Sequence, residues 1–173
     1  MTPDSVGPLS RPLLVGRIPA GGADVVLEAS GPERDALAAD LDIVGIDRLV
    51  ARLHVSAGRD RVRVTGRVEA DIRQTCVVTL DEFPSRLDEE VTVEFSAAGR
   101  ADVEVGGEVE ADLDAPDRLI DERIDLGAVT AEFLALGLDP YPRKPGATFE
   151  TSSDEGGTSS AFGALADFKT EKE

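Results

Sequence analysis

From Leu49 to Arg73 apolar and polar residues alternate on either side of one short break, and that alternation limits what the middle of this chain can become. Leu49, Ala51, Leu53 and Val55 are interleaved with Val50, Arg52 and His54. Past Ala57-Gly58-Arg59-Asp60, Val62, Val64, Val68, Ala70 and Ile72 alternate with Arg61, Arg63, Thr65, Arg67, Glu69, Asp71 and Arg73. A helix scatters such positions around its circumference, whereas a strand gathers them on one side, because successive strand side chains point to opposite faces. The spacing predicts a long antiparallel hairpin with one apolar face. A third strand over Leu87 to Phe95 places Val91, Val93 and Phe95 on one side and Asp88, Glu90, Thr92 and Glu94 on the other. Before the hairpin, Asp24 to Ala29 reads as a short strand. Gly31-Pro32-Glu33 then opens a helix through Leu41, with Pro32 suited to its first turn.

A second helix follows Asp125, which is placed to cap it. Leu126, Val129, Phe133 and Leu136 share a stripe, and the helix is expected to stop near Gly137 to Leu138. Pro140, Pro142 and Pro145 then favour extended backbone, giving a stiff arm that carries Tyr141, Arg143 and Lys144. The arm reads either as a docking element or as a helix end whose basic residues face the negative end of the dipole.

Charge is uneven along the chain. Thirty-five acids against 18 bases give a formal charge of −17, which repels nucleic acid at long range and suits a basic protein as partner. Seven arginines nevertheless lie between Arg48 and Arg73, while Asp81 to Glu122 holds 15 acids and three arginines. Two readings of Arg61, Arg63 and Arg67 stand side by side. They pair across strands with Asp88, Glu90 and Glu94, or they contact RNA phosphate in bidentate geometry.

The expected organisation is a flexible N-terminus over 1–12, one α+β domain over 13–149 and a flexible acidic tail over 150–173. The domain is expected to be an antiparallel sheet of about four to six strands with two or three packed helices. An acidic loop is expected at about 99–117, with a hairpin at Gly106-Gly107 as the alternative. The tail ends in a short apolar patch of Ala161, Phe162, Leu165 and Phe168. No run approaches the roughly 20 apolar residues of a transmembrane helix, and residues 1–10 lack a signal-peptide pattern, so a cytoplasmic location is expected. No catalytic constellation is evident: His54 is the lone histidine, and no phosphate-binding glycine loop or nucleophile elbow is present. Cys76 is the lone cysteine, expected to be structural, and no cofactor or metal is expected.

Three stretches carry a family resemblance. G-R-V-E-A-D-I-R-Q-T-C-V-V-T-L-D-E-F over Gly66 to Phe83, I-D-L-G-A-V-T-A-E-F-L-A-L-G-L-D-P-Y-P-R-K-P-G-A from Ile124, and S-A-F-G-A-L over Ser160 to Leu165 resemble the bacterial YceD family. That family is implicated in accumulation of large-subunit ribosomal RNA, and its gene commonly neighbours one for a large-subunit ribosomal protein. The resemblance implies a non-enzymatic ribosome-biogenesis factor supporting accumulation or processing of 23S ribosomal RNA. Its implied partners are a large-subunit ribosomal protein or a pre-ribosomal particle, with contact to ribosomal RNA left open. Tyr141, Arg143, Lys144, Arg61, Arg63 and Arg67 are the candidate partner-binding residues. An acidic adaptor without a ribosomal role and an RNA-processing enzyme are the alternatives. Many members read C-x-x-C-L-E-P-F where Thr79 here takes the second cysteine position, which argues against a zinc or dithiol role. The spacing of Val77, Leu80 and Phe83 predicts that this segment serves packing.

Overall fold

A computed structural model of the protein describes residues 7–96, 116–119 and 122–148. In chain order these form β1 (Pro12–Leu14), a 3-10 turn (Val15–Arg17), β2 (Ala23–Glu28), α1 (Gly31–Asp40), β3 (Gly45–Ala57) and β4 (Arg61–Thr75). Then come β5 (Glu82–Ser96), β6 (Asp117–Arg118), β7 (Arg123–Asp125) and α2 (Leu126–Leu136). A five-stranded sheet runs in the order β2-β3-β4-β5-β6, and β1 pairs with β7 in a separate two-stranded ladder. The architecture is α+β, with an antiparallel sheet, as the alternation predicts. The one departure is β6, which joins the edge of β5 in parallel.

The sheet has the two faces that the sequence writes into it. Val55, Val64 and Val93 share one cross-strand row, and Ala51 and Val68 share another. Leu37 and Ala38 of α1 and Leu126, Val129 and Leu134 of α2 join Leu53, Val55, Val64, Val68 and Val91 in a common core. Both helices therefore pack on one side of the sheet. Gly66 lies on that side, opposite Leu53 and Val91. A Cβ there would run into the carbonyl oxygen of Arg52 and the Cα of Leu53, and the residue's φ of +152° is open to glycine at little cost.

Both helix starts are held by carboxylates. Glu33 closes a capping box on α1, accepting from the Ser30 amide at 2.8 Å, and receives a fork from Arg11 at 2.7 and 3.0 Å. The Arg11 hydrogen bond, then the Ser30 amide and hydroxyl, bring the Glu33 carboxyl down to about 2. Asp125 caps α2, accepting from the amides of Gly127 and Ala128 at 2.9 and 3.2 Å. It also accepts from the Ser10 hydroxyl at 2.5 Å and the Arg11 amide at 2.6 Å. Burial pushes this carboxyl up, but those four donors outweigh it and leave it below the usual aspartate value.

Three expectations need correction. Leu9, placed by the sequence reading in a flexible segment over 1–12, is buried in the core, so the ordered body starts before residue 13. The cause is Gly127: a side chain there would meet the Leu9 carbonyl and Ser10 Cα, and its absence lets the N-terminal backbone lie against α2. Leu136, expected on the buried stripe of α2, is exposed. The buried positions are Leu126, Val129, Thr130 and Leu134, a stripe turned toward Thr130, whose hydroxyl returns to the Leu126 carbonyl at 2.7 Å. The arm expected to extend after α2 is tied to the sheet, as described below. The acidic loop up to residue 115, its glycine hairpin alternative and the tail over 150–173 lie outside the described residues.

Asp125→Ala removes an N-cap and the grip on Ser10 and Arg11 together. It is expected to cost more than the ~1 kcal/mol of an ordinary cap at pH 7. Because the folded carboxyl is depressed, its contribution is full above the ordinary aspartate value of 3.8 and fades as pH falls through the lower folded value. Urea unfolding of both proteins at pH 7 and in strong acid checks this. The stability gap between them should shrink on acidification, and a gap independent of pH would contradict the role given to this carboxylate.

Candidate functional site

The side of the sheet opposite the helices carries an ion-pair lattice. Arg63 stands opposite Glu94 and Arg67 opposite Glu90, as cross-strand pairing requires. Arg61 and Arg63 both bond Glu94, Arg61 at 3.1 Å. Arg67 reaches diagonally to Asp88 at 3.2 Å, while Arg52 and Arg86 converge on Glu69. Hydrogen bonds from Arg63 and then Arg61 lower the Glu94 carboxyl, and the bond from Arg52 lowers that of Glu69. Arg52 and Arg67 are direct cross-strand neighbours of like charge, and each leans away toward its own carboxylate. Of the two readings of these arginines, the pairing across strands is therefore present in the fold.

The second group of candidate residues lies elsewhere. Nine strand positions separate Arg67 from Cys76, on the order of 30 Å. The structure does not bring Arg61, Arg63 and Arg67 together with Tyr141, Arg143 and Lys144.

The latter three stand beside the tight turn that joins β4 to β5. The Cys76 amide donates to the Asp81 carbonyl at 2.8 Å and the Leu80 amide to the Cys76 carbonyl at 2.9 Å, closing the turn. The proline segment is bound against it. The Val77 amide donates to the Pro142 carbonyl at 2.9 Å, and Lys144 Nζ reaches Asp81 Oδ2 at 3.3 Å. Asp139 accepts from the Tyr141 amide at 2.9 Å, and a turn from Lys144 to Ala147 closes at Gly146, whose φ is +79°. Extended backbone is what lets Pro142 present its carbonyl to the turn, so the prolines create a bracket rather than a projecting arm.

Cys76 sits at the centre of this junction and is fully buried. The Thr79 hydroxyl, against the opposing push of burial, and then the amides of Lys144, Thr79 and Val78 lower the thiol to about 7. The expected structural role is thereby given a physical form: Cys76 is buried where the turn is tied to the bracket by the Val77 amide and the Pro142 carbonyl. Thr79, in the position of the family's second cysteine, supplies a donor to the first.

Packing does not account for the rest of the turn. Phe83 is buried as expected, but Val77 is 45% and Leu80 77% exposed, which corrects the reading of all three as packing residues. Leu80 also has φ +62°, in the left-handed region. A non-glycine residue there costs about 1 kcal/mol or more, and burial returns nothing to Leu80. Tyr141, 71% exposed, adds an aromatic ring on the bracket. Arg143 makes no ion pair among the described residues. Clefts of about 280 and 210 Å³ flank the bracket, sharing Gln74, Asp139 and Pro142 as walls; the larger also takes in Leu41 to Val44, and the smaller takes in Phe83 and Arg143. The turn and bracket thus present exposed apolar side chains, one of them strained, and a guanidinium with no ion pair among the described residues.

His54 bonds Asp24 at 2.7 Å on the exposed edge of the sheet, away from this site. Among the described residues, no three His, Cys, Asp or Glu side chains are grouped to hold a metal ion. No helix among them is long and apolar enough to cross a membrane. Sequence reasoning singled out Tyr141, Arg143 and Lys144 but missed Leu80 as an exposed residue and missed the bond that ties Val77 to Pro142. The three prolines were the available signal for a rigid segment, but nothing local names the turn that it meets.

A family model described as large ribosomal RNA subunit accumulation protein YceD matches residues 64–169, more than half of the chain. The matched span takes in most of β4, the Cys76 turn, α2 and the proline bracket. Neither the curated proteins nor the solved structures give a match.

Replacing Arg61, Arg63 and Arg67 with Glu sets like charges against Glu94 and Asp88. With each cross-strand pair contributing roughly 0.2–1 kcal/mol, the triple reversal is expected to lower the thermal midpoint clearly, and replacement by Gln to lower it less. Equal melts for all three proteins would remove the pairing role. For the thiol, Thr79→Val is expected to raise the Cys76 titration above its midpoint of about 7, read by thiolate absorbance. Lys144→Ala should leave it in place, because that residue contributes its backbone amide. An unshifted Thr79→Val titration would show that the hydroxyl does not hold the sulfur.

Proposed function

This chain belongs to the YceD family, and from that premise we propose that it is a non-enzymatic factor in building the large ribosomal subunit. In this reading it supports accumulation of large-subunit ribosomal RNA by docking on a ribosomal protein or pre-ribosomal particle in the cytoplasm. The observation that carries the proposal is the position of the exposed turn and bracket inside the family match. Leu80 and Tyr141 provide apolar area, and Arg143 provides a charge free to pair with a partner. Tyrosine and arginine at such a patch are the residue types that dominate protein interfaces.

Charge supports a protein partner over bare RNA. At −17 the chain attracts basic proteins, of which ribosomal proteins are the abundant class, and repels phosphate at long range. Arg61, Arg63 and Arg67 already share carboxylates on the sheet, so phosphate must compete with Glu94 and Asp88 for them. A catalytic role finds no support from His54, which pairs with Asp24 at the surface.

Depletion of the protein in its own cells is expected to lower the ratio of large- to small-subunit ribosomal RNA. Wild-type protein should restore the ratio, Tyr141→Ala combined with Arg143→Ala should restore it poorly, and Arg67→Gln should restore it well. Quantifying both RNAs after depletion and complementation reads all three. An unchanged ratio on depletion would remove the ribosomal reading, and full rescue by the bracket variant would move the docking surface elsewhere.

A further inference from the structure

Beyond residue 148 the chain continues for 25 residues whose apolar side chains have no role in the account above. Three of the six phenylalanines, Phe149, Phe162 and Phe168, lie there, together with Leu165. Residues 149–168 carry four carboxylates, Glu150, Asp154, Glu155 and Asp167, and no base. They begin directly after the bracket, whose last turn closes at Ala147.

We infer that the segment Ser159 to Phe168 docks on the exposed turn and bracket of its own chain, covering Leu80 and Tyr141. Three observations point to this occupant. The surface is apolar where the segment is apolar: Val77, Leu80 and Tyr141 are exposed, and Phe162, Leu165 and Phe168 are spaced at i, i+3 and i+6. Arg143 is the complementary charge: it has no ion pair among the described residues, and the acids of the tail precede and interrupt the apolar group, while Asp81 is already paired with Lys144. The tether is short. Thirteen residues lie between Thr148 and Phe162, and a chain rich in Gly and Ser of that length reaches about 20 Å on average. A tether of that reach holds a peptide at roughly millimolar effective concentration, enough for a weak contact to be occupied most of the time. The strained Leu80 then has an apolar neighbour to offset its exposure.

The same surface is assigned above to a ribosomal partner. The inference rests on that reading only for its consequence, which is that partner and tail compete and the site is covered until the partner displaces the tail. Competition of this kind sharpens specificity, because a weak apolar contact from the wrong protein cannot displace a tethered peptide.

Tyr141 is the only tyrosine and the chain has no tryptophan, so intrinsic fluorescence reports on this surface alone. Acrylamide quenching of Tyr141 is to be compared in the full chain, in a chain ending at Gly156 and in the full chain with Leu80→Asn. Asn tolerates the left-handed backbone and removes the apolar contact. The truncated chain and Leu80→Asn should both show a quenching constant roughly twofold higher than the full chain, as the ring passes from covered to open. A synthetic peptide of Ser159 to Phe168 should restore protection to the truncated chain and not to Leu80→Asn. Equal quenching in the full and truncated chains overturns the inference. Protection that depends on protein concentration also overturns it, by showing that a second copy is the occupant. No ribosome enters the measurement, so tail docking and ribosome association can fail independently.

Discussion

Everything else in this fold hangs on β4, which is hydrogen-bonded along its length to β3 on one edge and β5 on the other. A strand in that position has no freedom to slip, because a shift of one residue would carry Val62, Val64, Val68, Ala70 and Ile72 to the solvent side and the charged and polar side chains from Arg61 to Arg73 into the core. Its inner residues receive both helices, and its outer residues supply Arg61, Arg63 and Arg67 to the carboxylates of β5. The arginine lattice is a consequence of that register. The lattice adds little stability pair by pair in solvent, but it keeps charge on a face that would otherwise be a flat template for another sheet.

At the far end of β4 the logic changes from strand pairing to donor counting. The turn after Thr75 leaves amides that no strand satisfies, and the bracket and the turn's own carbonyls take them up. The Val77 amide finds the Pro142 carbonyl, the Cys76 amide finds the Asp81 carbonyl and the Leu80 amide finds the Cys76 carbonyl. A rigid proline segment suits this task, since its carbonyls face outward without the entropy cost of fixing a flexible loop. The result is a surface tied together by Val77 and Pro142, 65 positions apart, that carries Leu80, Tyr141 and Arg143 on a firm base.

The legible part of the molecule is the part governed by local periodicity. Alternation revealed β3, β4 and β5 and their faces, and allowed the arginines to pair with the acidic strand without fixing which faced which; Pro32 and Asp125 marked both helix starts. What stayed hidden depended on contacts distant in sequence. Leu9 looks like one residue of a polar end because its burial is made possible by Gly127, and no pattern near residue 9 shows that. Leu136 fits an ideal stripe, but the stripe turns toward Thr130 once α2 is fixed at its N-terminus by Asp125. Val77 and Leu80 were read as packing residues because their chemistry is apolar, and composition alone does not say which apolar residues face water. At the candidate site, Tyr141, Arg143 and Lys144 stood out through the prolines around them, while Leu80 required a backbone dihedral to be noticed.

Asp125 joins the two ends of the described chain, bonding Ser10 across 115 positions, while β1 waits for β7 as its partner. During synthesis Leu9 and Ser10 are thus made well before the residues that hold them. The sheet from β2 to β5 can assemble as it emerges, but Leu9 has no pocket until Leu126 and Gly127 have been made. The segment from Leu9 to Leu14 works as a clasp that fastens only after β7 and the first turn of α2 have been made.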